Sequence, residues 1–384
     1  MHFEKQKKIR IVAAPDSFKG SISADEAAQA IKKGLLAAAE RAGIDARVTG
    51  LPIADGGEGT LDALRGIFTS EKIRVTGPDF TSLNAEYGVR GDTVLIEMAN
   101  AAGFASVPPD RRRAALTTTC GVGELISHAI DSGRRDIVLT VGGSATNDGG
   151  CGMASALGAR FFDRSGTEFI PTGGTLGEIA DADFSGFAEK VGECRFAIAA
   201  DVRNPLTGEN GASRIYAPQK GATPEEIEIM EDGMSRLAAL VEAKCGRNVS
   251  HIAGCGAGGG LPLTLLAFAE AKICSGICTV LDMLDFDSII SDCDLIVTGE
   301  GRLDRQSLCG KAVSEITRRG MIRGIPVYCI AGCAEDEIRN SSVLPFARVL
   351  TLSEIAPNAG YSMSHASDLL ERCAGEIISD FFGK

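Results

Sequence analysis

Five apolar runs in this 384-residue chain end in side chains that can do chemistry. "IVAA" at 11–14 runs into Pro15-Asp16-Ser17-Phe18-Lys19-Gly20, which sets a carboxylate, a hydroxyl and an amine within four positions. "GLPIA" leads to Asp55, Gly56, Gly57 and Glu58, and "DIVLTV" leads to the run Gly142 to Gly150, with Gly143, Ser144, Asn147 and Asp148 inside it. "FAIAA" precedes Asp201 and Asn204, and "LIVTG" precedes Glu300, Arg302 and Asp304. One such cluster is a cap or a turn. Five of them at strand ends indicate a site, because open α/β sheets bind ligands outside the carboxyl ends of their strands.

The mixture of residue types narrows the chemistry. Glycine-rich turns let backbone N–H groups approach phosphate oxygens. Carboxylates beside them can hold Mg²⁺, a hard ion that takes oxygen ligands and bridges phosphates. Lys19, Arg302 and Lys311 can neutralise charge on a transferred phosphoryl group. An aspartate near an acceptor hydroxyl can orient it and take its proton. Phosphoryl transfer from a nucleotide to a small molecule is the reaction class that uses all of these.

Rival signatures are weaker. No G-x-x-x-x-G-K-[ST] segment is present, nor an H-R-D with D-F-G set, so neither a P-loop enzyme nor a protein kinase is expected. "GCGAGG" at 254–259 satisfies G-x-G-x-x-G and precedes the helix-like "LPLTLLAFAEA". The preceding "CGRNVSHIA" lacks the apolar strand that a dinucleotide fingerprint requires, which leaves an NAD-dependent dehydrogenase as a distant alternative. His2, His128, His251 and His365 sit in no catalytic context, so a Ser-His-Asp hydrolase is not expected.

The elements that position these loops alternate along the whole chain. "IRIVAAPD" reads as a strand and leads into a helix from about Ala24 to Arg41, with Ser23 and Glu26 spaced as a capping box and Gly43 as its terminator. Apolar strands separated by helices predict a parallel sheet covered on both faces. Residues 71–97 instead alternate polar and apolar with turn residues between, the pattern of an antiparallel hairpin. A second domain starting there, with the last strands returning to the first sheet, gives an α/β protein of two domains. The expected limits are 1–70 with 288–384 for a doubly wound, mostly parallel Rossmann- or flavodoxin-like domain, and 71–287 for a mixed α/β domain inserted in it.

Composition sets bounds on partners. A net charge of −12 speaks against nucleic acid, whose phosphates would be repelled. No apolar run approaches the ~20 residues of a membrane span. Of the twelve cysteines, Cys274/Cys278 and Cys329/Cys333 are i, i+4 pairs without C-x2-C spacing or a nearby histidine, and the others are scattered singly, so reduced structural thiols and a cytoplasmic location are expected.

Taken in order, these loops resemble the bacterial glycerate kinase family, the type that phosphorylates the 2-hydroxyl. The matching segments are "APDSFKGSISADEAA", "PIADGGEGT", "TTTCGVGELI", "GGSATNDGGCGM", "DVRNPLTGENGAS", "PQKGA" and "TGEGRLDRQSLCGKA", collinear from residue 14 to about 312. The resemblance implies ATP and Mg²⁺, D-glycerate as acceptor, 2-phosphoglycerate as product, and two α/β domains with the site in the cleft between them. It leaves a homodimer open. Mapped here, the family's signature polar positions are Asp16, Ser17, Lys19, Asp55, Glu58, Ser144, Asn147, Asp148, Asp201, Asn204, Glu300, Arg302, Asp304 and Lys311. The chemistry of the side chains leads us to expect Asp16, Lys19 and Asp201 as catalytic, with Asp201 as base or metal ligand and Glu300 and Asp304 as metal ligands. Ser17, Asp55, Gly56, Gly57, Glu58, Gly142, Gly143, Ser144, Asn147, Asp148, Asn204, Arg302 and Lys311 are expected in substrate and phosphate binding. Phosphorylation at O2 rather than O3 rests on the resemblance alone. Arg203, where the family more often has a small polar or acidic residue, keeps another small hydroxy acid open as acceptor.

Overall fold

The computed structural model describes residues 8–308, 311–339 and 345–383. Cys309 and Gly310, inside the last family-like segment, and His2 lie outside the described residues. The chain forms two compact units, residues 1–55 with 277–384, and residues 56–276.

Strands are numbered along the chain: β1 (Ile9–Pro15), β2 (Ala46–Gly50), β3 (Thr69–Thr76), β4 (Ser82–Arg90), β5 (Thr93–Glu97), β6 (Asp136–Thr140) and β7 (Arg160–Phe162). They continue as β8 (Glu168–Phe169), β9 (Asp181–Asp183), β10 (Arg195–Ala199), β11 (Lys272–Cys274), β12 (Leu295–Leu303), β13 (Val327–Ala334) and β14 (Arg348–Thr351).

The first unit holds a five-stranded sheet in the order β14-β13-β12-β1-β2, with every pairing parallel. Its strands read as continuous apolar runs because both faces are covered. Ile11 and Ala13 enter a core with the helices Ala24–Arg41 and Ala366–Phe382, whereas Val12 and Ala14 enter a separate core with Ile277, Phe286 and Ile316. The helix Ala24–Arg41 begins at the expected capping box: Ser23 accepts from Glu26 N, and the Glu26 carboxylate accepts from Ser23 N. Counted within the unit the strand order is 2-1-3-4-5, so the direction of winding reverses between β1 and β12. Ligands collect at such a reversal, beyond the carboxyl ends of the strands.

The second unit is built on a six-stranded mixed sheet, β11-β10-β6-β5-β4-β3. β3, β4 and β5 form the antiparallel part, and β5, β6, β10 and β11 run parallel. Register aligns Glu97 with Thr140 and Thr140 with Ala199, which brings the carboxyl ends of β5, β6 and β10 to one edge. A small sheet of β7, β8 and β9 completes this unit, and one large core, with Tyr87, Phe161 and Phe187 fully buried, fills it. The glycine run at 254–260 carries a short 3-10 turn at Ala257–Gly259, preceded by a helix rather than a strand, and β11 follows only at Lys272. The eleven described cysteines are free thiols.

Candidate active site

In the first unit, the loops after β1, β2 and β12 surround a cavity of about 370 Å³. Asp16, Ser17, Lys19, Asp55, Glu300, Arg302, Asp304 and Lys311 all line it, so the structure brings together every expected site residue of this unit. The lining also includes the apolar Phe18, Leu352, Met363 and Ala366. The backbone holds the acidic end tightly. Asp16 N donates to Gly299 O at 2.8 Å, one step past the last β1–β12 pair, and Ser17 N donates to the Asp16 carboxylate at 2.6 Å.

Charge is unevenly compensated in this cavity. Burial, reinforced by the Asp55 carboxylate, lifts Asp16 from 3.8 to about 6, against the pull of the Ser17 hydrogen bonds and Lys19. Burial likewise lifts Glu300 from 4.5 to about 7, helped by Asp16 and Asp304 and opposed by Ser307 and Lys311. Glu300 is 9% exposed, and its Oε1 is buried with no hydrogen-bond partner among the described residues. Arg302 is exposed and paired with Glu335 at 3.1 Å, with Asp304 at 3.8 Å.

The second unit gathers the remaining expected residues along the edge formed by β5, β6 and β10. Gly142 packs so closely on Gly57 that a Cβ there would lie 2.8 Å from its Cα, and Glu58 lies against Gly143. Gly56, at a φ of +85, meets Gly276 with the same closeness, and Gly276 N donates to the Asp201 carboxylate at 2.9 Å. Asp201 is exposed, at the edge of the first turn after β10. Ser144, Asn147 and Asp148 are buried. Asp148 accepts from Thr119 N, Thr119 Oγ1, Gly150 N and Gly152 N, so it ties the glycine loop to the helix Cys120–Asp131 from inside. Burial nevertheless raises its carboxyl above the usual range. Asn147 donates to Ser213 at 3.0 Å, and Asn204 bridges Asn210 O and Tyr216.

Two residues that support these loops are not among the expected site residues. Glu97, 3% exposed at the end of β5, accepts from Gly59 N at 2.7 Å and Leu61 N at 3.1 Å and so fixes the turn beyond Gly56–Glu58. Its position at the carboxyl end of an apolar strand is the same signal that marks Asp16 and Glu300. Lys220 lies buried beneath the glycine loop and donates to Ser144 and Thr146.

Carboxylates and cations lining one cavity in the first unit, and glycine turns in the second, are features that phosphoryl transfer uses. Residues 11–381 match the model of the glycerate kinase family. A glycerate kinase of Bacillus subtilis (strain 168) is 41% identical over 378 residues, covering 97% of both chains. A glycerate 2-kinase of Escherichia coli (strain K12) is 42% identical over 334 residues, 86% of this chain and 87% of that one. A crystal structure from Salmonella typhimurium LT2, assigned as a glycerate kinase 2, superposes with a TM-score of 0.84 at 38% identity, covering 98% of this chain and 99% of that one. The chain belongs to the glycerate kinase family, whose members are kinases of a small organic acid. No helix among the described residues is long and apolar enough to cross a membrane.

Proposed function

We propose that the protein transfers the γ-phosphoryl group of ATP to D-glycerate at O2, giving 2-phosphoglycerate and ADP. The observation that carries this is the cavity at the β1–β12 reversal, where four carboxylates and three cations line one small space. The five-stranded sheet beneath it is read as flavodoxin-like, and the O2 position is favoured by the relative named a glycerate 2-kinase.

The donor set suits Mg²⁺. The unpaired Oε1 of buried Glu300 is an oxygen in want of a cation or a proton. Among the described residues no group of three or more acidic, histidine or cysteine side chains forms a complete cage. Mg²⁺ ordinarily uses one or two carboxylates and completes its shell with water and phosphates. Glu300 and Asp304 are the residues of this cavity that would hold it. Bound with the nucleotide, the ion would neutralise charge on the transferred group.

The remaining work falls to the chain itself. Lys19 is assigned to the developing phosphoryl charge, and Arg302 and Lys311 to the glycerate carboxylate or a phosphate. The Gly142–Gly150 loop, with Gly56, Gly57 and Glu58 packed on it, is assigned to the nucleotide phosphates. Asp201 or Asp16 takes the proton of the acceptor hydroxyl as its oxygen bonds to phosphorus. A coupled assay tests the reading: D-glycerate, ATP and Mg²⁺, with enolase added and phosphoglycerate mutase omitted. Direct enolase signal is the expected outcome. ADP release without it would identify the 3-phosphate. Absence of ADP release would overturn glycerate as acceptor and direct attention to other hydroxy acids and to the exposed Arg203.

A further inference from the structure

Lys220 ends the short turn Pro218–Lys220 and is only 3% exposed. Its Nζ donates to Ser144 Oγ at 2.7 Å and to Thr146 O at 2.6 Å, two residues apart in the loop after β6. A buried ammonium is costly to maintain unless a partner offsets its lost hydration. Here burial pulls the amine down from 10.5 to about 7, and Asp148, from the same loop, is the charged group that acts against this. Holding the loop in shape does not need a charge, since a neutral donor makes the same two bonds.

The loop's own hydrogen bonds indicate what the charge is for. Gly143 O accepts from Phe104 N, Ala145 O from Thr117 Oγ1, and Thr146 O from Lys220. Three carbonyl oxygens, the groups that would repel an anion, are therefore turned to donors inside the protein. Ser144 Oγ uses a lone pair on Lys220, so its own proton is directed elsewhere, and no acceptor for it is found among the described residues.

We propose that Lys220 is a positioning residue for anion binding: from beneath the loop it fixes Thr146 O and Ser144 Oγ, turns the Ser144 hydroxyl toward the bound phosphate, and supplies positive charge from behind. The inference rests on the reading that the Gly142–Gly150 loop holds the nucleotide phosphates. It has a thermodynamic consequence. An arriving anion favours the charged lysine, so binding above pH 7 takes up a proton and weakens as the pH rises.

Titration calorimetry with adenylyl imidodiphosphate, from pH 6 to 9 and in buffers of different ionisation enthalpy, tests this. Wild type is expected to take up part of a proton near pH 8. Lys220→Met is expected to bind at least about tenfold more weakly at pH 6.5, to lose that uptake, and to raise KM for ATP more than it lowers kcat. Ser144→Ala keeps the lysine and is expected to lose affinity while retaining the uptake. Should Lys220→Met fail to fold, absence of uptake by wild type at pH 8 overturns the proposal. Wild-type affinity and uptake in a folded Lys220→Met also overturn it, and if Ser144→Ala and Gly143→Val still bind more weakly, the loop reading stands without Lys220. If Ser144→Ala and Gly143→Val bind normally, the loop does not hold the nucleotide and both inferences fall.

Discussion

At the scale of single residues, the role proposed for Glu300 is set against stability. Its folded pKa of about 7 lies above the ordinary 4.5, because burial and the neighbouring Asp16 and Asp304 disfavour the charge. A carboxyl raised in this way contributes stability that is fully present below about pH 4.5 and lost as the pH rises through 7. Each pKa unit corresponds to about 1.4 kcal/mol, so the ionised Glu300 costs the free protein up to ~3 kcal/mol at pH 8. Glu300→Gln is therefore expected to melt higher than wild type at pH 8 without divalent cation, to match it near pH 4.5, and to lose at least tenfold in kcat. A variant less stable than wild type at pH 8 would mean that the carboxylate is compensated by a partner. Glu300, Asp16 and Lys19 are legible in the sequence because each follows an apolar strand. Lys220 falls in the family-like segment "PQKGA", yet its role is not legible there: it ends no strand, and its partners are 76 and 74 residues away in the chain.

At the scale of elements, local rules succeed where local interactions decide. The helix Ala24–Arg41 begins and ends where its capping box and final glycine direct, and the alternation at 71–97 becomes the antiparallel β3, β4 and β5. The "GCGAGG" pattern matches a fingerprint yet forms a tight turn, because a fingerprint works only on the strand–turn–helix frame that is missing here. The turn at Gly59–Leu61 depends on a partner 36 and 38 residues away, which no local pattern encodes. Glu97→Ala leaves two amides of that turn without their acceptor, one of them buried, at a cost of about 1–3 kcal/mol for a buried unsatisfied group. The expected result is a lower Tm together with a raised KM for ATP, since Gly57 and Glu58 pack on the Gly142–Gly143 turn. Glu97→Gln keeps one acceptor oxygen and should recover part of both. Thermal melts and steady-state kinetics on the two variants check this, and unchanged kinetics in Glu97→Ala would separate the turn from the site.

At the scale of the whole molecule, the order of folding follows from where the strands lie in the chain. The five-stranded sheet is parallel throughout, and its central pair joins Ile11 to Leu295, so it cannot form until the distant strands meet. That such a sheet exists is legible from its apolar strands, but which strands pair across so long a gap is not, since pairing leaves no local trace. Closing a flexible loop of roughly 280 residues would cost on the order of 5 kcal/mol in chain entropy. We expect the second unit to fold first, which lowers that cost. Its termini are adjacent, with a Cβ on Gly56 2.6 Å from Gly276 Cα, so its formation draws residues 55 and 277 together before β1 and β12 pair. Its own sheet is built from segments closer in sequence, which favours faster formation. Pulse-labelled hydrogen exchange during refolding is therefore expected to protect amides of β5, β6 and β10 before those of β1, β12 and β13. A destabilising core change in the second unit, such as Leu139→Ala, should slow protection of both sheets, whereas Val297→Ala should slow only the first. Simultaneous protection, or earlier protection of β1 and β12, would mean that the long-range pairing forms without the intervening unit as its staple.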